Sequence, residues 1–441
     1  SRGLGDVYKR QVIDDATKKI ESNSLFEIKE DTAKDATVAA AAQKIIDRID
    51  KEYGAVFAKS EVVLNGAKAP NGNRDSETNN GDLITDAMVW KILQDKESLT
   101  VDADHVVAVT NGGGIRKAIN PGDVTKKNIN EVLPFGNTVV TIYITGAELL
   151  EALEASTYCT PDAIGGFPQV SGINYTISTA VAYDANAETY PASTYYGPKS
   201  INRVTINSIN GKEFKADDTY AVITNDFCGG GGDTYYAFAA ATAKFDTGIP
   251  LDEVVMEYIT AELKGVIGKQ YAAPQGRILM NPFADVKASS WFGKYVIDLY
   301  NDGIINGTSA TTYAPNNTLT WAAALKLLLV SNGDLKAADA TGADWSKNAI
   351  AKAAELGLVA ADLDGAKAIS RLEFCQVAAK LNKLAESKTE SKFTDCTDGY
   401  VMALVDAKVI SGMTETTFEP AASLTRAQIA KILYQLTLIE K

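Results

Sequence analysis

Apolar and polar positions change rhythm twice along this chain, and each rhythm predicts a different kind of structure. Residues 12–60 alternate charge with alanine, and "TAKDATVAAAAQKIIDRIDKEY" places apolar residues at helical spacing with few breakers, which predicts a long connecting helix. From 61 to 281 the runs shorten. β-branched segments such as "VVAVT", "VVTIYI", "INRVTINSI" and "YAVIT" are separated by Gly, Asn and Pro turns and by amphipathic stretches such as "GAELLEALEAS", so a mixed α and β domain is expected.

After "GRILMNPF" the pattern becomes helical with short loops, and it repeats at a spacing of roughly 50 residues. "FADVKASSWFGKYVIDLYNDGIINGTSATTYAPNNTLTW" begins at Phe283 and recurs as "FTDCTDGYVMALVDAKVISGMTETTFEPAASLTR" from Phe393. Between them, "DWSKNAIAKAAELGLV" and "ISRLEF" make a degraded copy. Units at 283–332, 340–385 and 393–437 are expected to form an all-α repeat domain, an architecture that binds or scaffolds more often than it catalyses.

Composition narrows the possible partners. With 441 residues, 46% of them hydrophobic, the chain can bury a core in each of about three domains. A formal net charge of −13 repels nucleic acid and anionic membranes on average, while a small anion held by local arginines stays compatible with it. The most apolar run, "AAALKLLLV", is short and contains Lys326, so no membrane span and a soluble chain are expected. The opening "SRGLGDVYKRQ" fits nothing after it, and residues 1–11 are read as a processing or assembly scar, or as disordered, on a fragment of a longer protein. Cys159, Cys228, Cys375 and Cys396 show no zinc-binding spacing; either pairing within each half (159 with 228, 375 with 396) or burial as free thiols fits them.

The candidate chemistry centres on "NGGGIR", Asn111 to Arg116, directly after the apolar run "HVVAVT". Glycines permit positive φ and close approach to backbone N–H groups, and Arg116 supplies a planar donor fork suited to phosphate. A tight strand-to-loop turn with a surface arginine explains the same residues.

Five segments occur here in one order: "RDSETNNGDLITDAM" from Arg74, "NGGGIR" from Asn111, "LPFGNTVVTIYITGAELLEALE" from Leu133, "GGFPQVSGINYTI" from Gly165 and "TNDFCGGGGDTYYAF" from Thr224. Together they resemble the C-terminal, substrate-binding domain of 5'-nucleotidases over residues 61–281, which implies a mixed-sheet α+β fold. The resemblance implies that Phe135 and Phe227 clamp a nucleobase and that Asp233 accepts from the ribose hydroxyls. It makes Arg74 and Arg116 the phosphate-side cations and Asn111 and Asn137 polar contacts to the nucleotide, with the glycines giving the ligand room. Each residue has a plainer explanation: the phenylalanines as core, Asp233 as a helix cap, Arg74 as a solvated loop cation. "FCGGGGD" departs from relatives that carry a larger residue in the glycine run, which alters the pocket edge.

In that family the chemistry belongs to an N-terminal metallophosphoesterase domain whose Asp, His and Asn side chains hold two divalent metal ions. The one histidine of this chain, His105, lacks the family's contexts and reads as structural. Residues 12–60 are taken as the end of that domain and its connecting helix, with no catalytic or metal site and no cofactor in this chain, which should bind nucleotide without hydrolysing it.

The repeats at 283–437 resemble S-layer homology motifs. Thr425 with Gln428 and Ser370 with Glu373 read as capping boxes, which leaves Arg371 and Arg426 without a capping duty. In the family such an arginine contacts acidic cell-wall polysaccharide; a structural role between repeats is the alternative, and Trp321 at the third position implies one silent groove. The whole implies an exported, cell-wall-anchored 5'-nucleotidase-type phosphohydrolase. Its partners would be nucleoside 5'-monophosphates or nucleosides and an acidic secondary wall polysaccharide. A non-catalytic nucleoside-binding wall protein, or a structural S-layer protein with an inactive nucleotidase domain, are the other readings.

Overall fold

The computed structural model describes residues 7–27, 31–182, 200–336 and 338–439. The chain divides into two units, residues 1–57 with 125–127 and residues 58–124 with 128–441.

In the first unit a strand pair precedes the expected helix. Residues 1–6 lie outside the described residues, but Val7–Ile13 pairs antiparallel with Ile20–Glu27, Val7 facing Glu27 and Ile13 facing Ile20. Between the strands Asp14 closes the turn, accepting from Thr17 Oγ1 at 2.6 Å. A local side-chain bond of this kind nucleates a hairpin where helical spacing has not yet begun. The expected helix then spans Ala36–Tyr53, started by Asp35, whose carboxylate accepts from Thr37 N and Val38 N at 2.9 Å, and ended at Gly54.

In the second unit, a five-stranded mixed sheet runs in the order Ala243–Pro250, Thr138–Thr145, Thr219–Asn225, Val106–Asn111, Pro168–Ser171. Every residue of Val106–Asn111 is buried, as expected of a strand covered on both faces. Val107, Val109, Val140, Ile142, Leu149, Leu153, Tyr175 and Phe238 share one apolar core. The mixed α and β architecture expected for 61–281 is therefore present.

Strand Ile278–Asn281 belongs to a second sheet, parallel to Ile173–Ser178, and leads into the repeats. There, helix pairs Gly293–Asn301 with Trp321–Asn332, Trp345–Glu355 with Arg371–Leu381, and Gly399–Asp406 with Arg426–Thr437 surround one core containing Leu299, Leu325, Phe374, Val401 and Leu433. The region is not purely helical. Isolated bridges pair Thr318 with Thr425, Thr320 with Ala368, and Ser370 with Ser423, so each repeat is stitched to another by extended backbone.

Candidate functional site

Sheet topology brings the sequence motifs together. Thr219–Asn225 and Val106–Asn111 are parallel neighbours, so the loops that follow them, carrying Phe227 to Asp233 and Gly112 to Arg116, leave the sheet at one edge. Thr138–Thr145 runs antiparallel with Val139 facing Asn225, and its leading segment with Phe135 and Asn137 reaches the same edge. Pro168 faces Asn111, which adds the Gly165–Phe167 turn.

Hydrogen bonds there assign each amide an orientation. Asn225 Nδ2 donates to Asn111 Oδ1 at 3.0 Å and to Thr110 Oγ1 at 2.9 Å, while its Oδ1 accepts from Cys228 N at 2.8 Å. With Oδ1 so engaged, Asn111 turns its Nδ2 to the Asp233 carboxylate, 2.7 Å away. Asp233 is 7% exposed and adopts left-handed backbone at φ 52°. It caps no helix: the short helix Tyr236–Ala239 starts after Tyr235 and has no side-chain cap. The organising residue, Asn225, lies inside "TNDF", where the motif quoted from sequence had drawn attention only to Phe227 and Asp233.

The glycines of "NGGGIR" have a different purpose from the expected one. None of the three has left-handed backbone. A Cβ on Gly112 would stand 1.6 Å from Asn73 O, and one on Gly113 would stand 2.8 Å from Gly165 O. Both glycines therefore make room for the protein's own loops, whereas a Cβ on Gly114 would meet only the Asn111 side chain, at 3.3 Å, and Gly114 lines a cleft with Leu133, Phe135, Asn137 and Asp252.

Phe135 and Phe227 are not core residues; they are 53% and 42% exposed. The Arg116 guanidinium lies 5.7 Å from the centre of the Phe135 ring and donates to Gly113 O at 3.1 Å. The Phe227 ring rests on Gly232, where a Cβ would come within 2.6 Å of it, so the glycine run seats that ring. Asn137 donates to Asp226 Oδ1 at 2.6 Å, tying the Phe135 loop to the residue before Phe227. Arg74 is half-buried, and its carbonyl accepts from Ile164 N at 2.9 Å beside the glycine turn.

His105 lies apart from this edge. Its ring nitrogens face Asp104 at 2.7 Å and Asp218 at 3.3 Å, and it stacks on Tyr220; the hydrogen bond to Asp104 does most to raise its pKa. All four cysteines are free thiols, with Cys228, Cys375 and Cys396 buried, so neither suggested disulfide is present. Burial pushes the Cys375 thiol up to about 12. Among the described residues, no group of three or more His, Cys, Asp and Glu is placed to hold a metal ion.

In the repeats, the expected capping boxes at Ser370 with Glu373 and Thr425 with Gln428 are formed. The arginines after them turn inward. Arg426 donates to Tyr313 O at 2.7 Å and Asn306 O at 2.8 Å, with its guanidinium 4.4 Å from the Tyr313 ring centre. Arg371, 6% exposed, donates to Ser411 O at 2.7 Å and lies 4.6 Å from the Phe418 ring centre. The receiving loops are pinned alike: Asp285 accepts from Tyr313 N and Ala314 N, and Asp395 from Phe418 N and Glu419 N. Each arginine thus joins one repeat to another through carbonyls and an aromatic face, with Glu419 near Arg371 and Asp285 near Arg426 adding electrostatic attraction.

Counting from each helix cap, Thr320, Ser370 and Thr425, the next residue is Trp321, Arg371 or Arg426, and five further on stands Lys326, Gln376 or Lys431. A cleft lined by Trp291, Arg371, Ser411, Met413, Gln428 and Lys431 opens at one junction. At a second junction Lys326, the counterpart of Lys431, lies over the Trp345 ring at 5.3 Å and has its pKa lowered by burial and then by the charge of Arg426. Gln376, which stands at the lysine position of the second repeat, is bonded to Asp398 at 2.7 Å. Sequence reading missed Trp291, Trp345 and Lys431 because repeats far apart in the chain bring them to the arginines and to Lys326.

Residues 56–240 match the family model described as the 5'-nucleotidase C-terminal domain, and residues 282–324 and 395–430 match that of the S-layer homology domain. The chain carries a 5'-nucleotidase C-terminal domain followed by S-layer homology repeats. It is 36% identical over 221 residues to the trifunctional nucleotide phosphoesterase protein YfkN of Bacillus subtilis (strain 168), covering 50% of this chain and 13% of that protein. It is 30% identical over 249 residues to the 5'-nucleotidase of Mus musculus, covering 55% of this chain and 40% of that one. Among solved structures, the 5'-nucleotidase precursor from Thermus thermophilus aligns with 62% of this chain and 49% of its own, at 27% identity and a TM-score of 0.43. The nucleotidase domain thus sits in a chain that spans less than two thirds of each of these relatives.

Proposed function

We propose that this chain supplies the nucleotide-recognition part of a cell-wall-anchored 5'-nucleotidase-type phosphohydrolase. The observation that carries the reading is a pair of half-exposed phenylalanines, Phe135 and Phe227, at the sheet edge that also holds Arg116 and the Asp233 carboxylate. Large apolar rings left in solvent beside a cation and an oriented acceptor suit a planar base, a ribose and a phosphate at once. Stacking contributes about 1–3 kcal/mol per base and accepts any base, so the rings supply affinity and Asp233 supplies recognition of the sugar hydroxyls. Arg116 and Arg74 are the cations for the phosphate side.

The repeats are proposed to hold an acidic secondary wall polysaccharide at the two junctions that pair arginine with lysine, an attachment that implies a location outside the cell. No helix among the described residues is long and apolar enough to cross a membrane.

Isothermal calorimetry with adenosine and with AMP tests the nucleotide reading. Wild type should bind both, and Phe227→Ala should lose about tenfold or more in affinity for each. Equal heats from the two proteins would remove the stacking role.

A further inference from the structure

The two phenylalanine loops meet through one side-chain bond that base contact does not require. Asn137 Nδ2 donates to Asp226 Oδ1 at 2.6 Å, between residues 89 positions apart. Asn137 follows Phe135 by two residues, across Gly136 in left-handed backbone, and Asp226 directly precedes Phe227. The other attachments of these loops lead elsewhere: Asn137 O accepts from Leu251 N at 2.8 Å, and the Phe227 turn is held by Lys244, which donates to Gly229 O at 2.8 Å. Phe135 and Phe227 are themselves half exposed, with Arg116 beside the one ring and Gly232 beneath the other.

We propose that Asn137 and Asp226 are positioning residues that set the separation of the two rings, and that Asn137 is not a ligand contact. This rests on the stacking role proposed above for Phe135 and Phe227. A stacked base needs its two flanking faces at a fixed spacing, and a short hydrogen bond to a carboxylate is a stiff way to set it. The bond fixes the base-side geometry and leaves the sugar side, held by Asn111 and Asp233, independent of it.

The test uses the full chain with 4-fluorophenylalanine placed at position 135 or 227, and four proteins: wild type, Asn137→Ala, Asn137→Asp, and the exchange Asn137→Asp with Asp226→Asn. Asn137→Asp sets two carboxylates against each other, whereas the exchange restores one donor and one acceptor with their places reversed. Without ligand, the fluorine resonances at both positions should shift or broaden in the two single variants and return toward wild type in the exchange. With ligand, adenosine affinity should fall at least tenfold in the single variants and recover in the exchange, while ribose 5-phosphate affinity stays within twofold. Unchanged fluorine spectra in both single variants, or equal losses for adenosine and ribose 5-phosphate, would overturn the positioning role. A wild type that binds neither compound would overturn the nucleotide reading alone, since the ligand-free spectra still decide whether the bond places the rings.

Discussion

Asn111 Nδ2 lies 2.7 Å from Asp233 Oδ2, joining two glycine-rich motifs 122 positions apart in the chain. The bond works because Asn225 holds the other end of the Asn111 amide, so its donor can point only at the carboxylate. Asn111→Asp would replace that donor with a second carboxylate at hydrogen-bond distance. We expect a loss of about 1–3 kcal/mol at pH 7. The loss should shrink as pH falls toward 5, because one of the two carboxyls then holds a proton and can donate. Urea unfolding of both proteins at pH 7 and pH 5 measures it, and an equal deficit at both values would contradict the pairing.

A second pH dependence comes from Asp82, fully buried in helix Asn79–Leu93. Burial, and then the charge of Glu77, push its carboxyl up to about 8, against the attraction of Arg277, whose Nη1 lies 3.5 Å away. Asp86 adds to the repulsion, and Gln275 N donates to the carboxylate at 3.1 Å. Between about pH 4 and 8 the folded protein keeps a proton that the unfolded chain has released. Stability from this group is therefore full below pH 4 and declines as pH rises to 8, by up to about 1.4 kcal/mol per unit. Asp82→Asn should show a flatter profile from pH 5 to 8, and parallel profiles would rule the carboxyl out.

Glycine substitutions should separate packing from ligand space. Gly112→Ala forces a Cβ against Asn73 O at 1.6 Å, between two backbones with nowhere to move, and should cost about 3 kcal/mol or prevent folding. Gly114→Ala meets only the Asn111 side chain, at 3.3 Å, and should cost about 1 kcal/mol or less. Thermal unfolding of both variants distinguishes them, and similar behaviour would mean that Gly112 is not packed as described.

Wall attachment should depend on the lysines without a loss of fold. Because Arg371 and Arg426 bind carbonyls between repeats, their replacement by alanine should lower stability by about 2 kcal/mol as well as retention. Lys431→Ala and Trp291→Ala leave those bonds intact. Each should still reduce sedimentation of the full chain with polysaccharide-bearing wall sacculi, by about tenfold where a charged hydrogen bond is lost. Gln376→Ala should retain normally, and full retention of Lys431→Ala would leave the arginine and lysine junctions as structure only.

The sequence by itself determined the features that depend on neighbours in the chain. Helical spacing marked Ala36–Tyr53, and caps three residues apart marked Ser370 with Glu373 and Thr425 with Gln428, because such bonds close within one turn. Motif order likewise announced the nucleotidase domain and the repeats. Tertiary structure decided what those residues do. The parallel pairing of Val106–Asn111 with Thr219–Asn225 set Asn111 against Asp233, and the segment ahead of helix Asn79–Leu93 filled the space around Gly112 with Asn73, so a glycine that reads as ligand room is packed instead. Contact between the third repeat and the first turned Arg426 onto Tyr313, 113 positions away. Local periodicity records which face of an element is apolar. It does not record which distant loop arrives there, because strand register and the association of repeats are settled by the packing of the whole core.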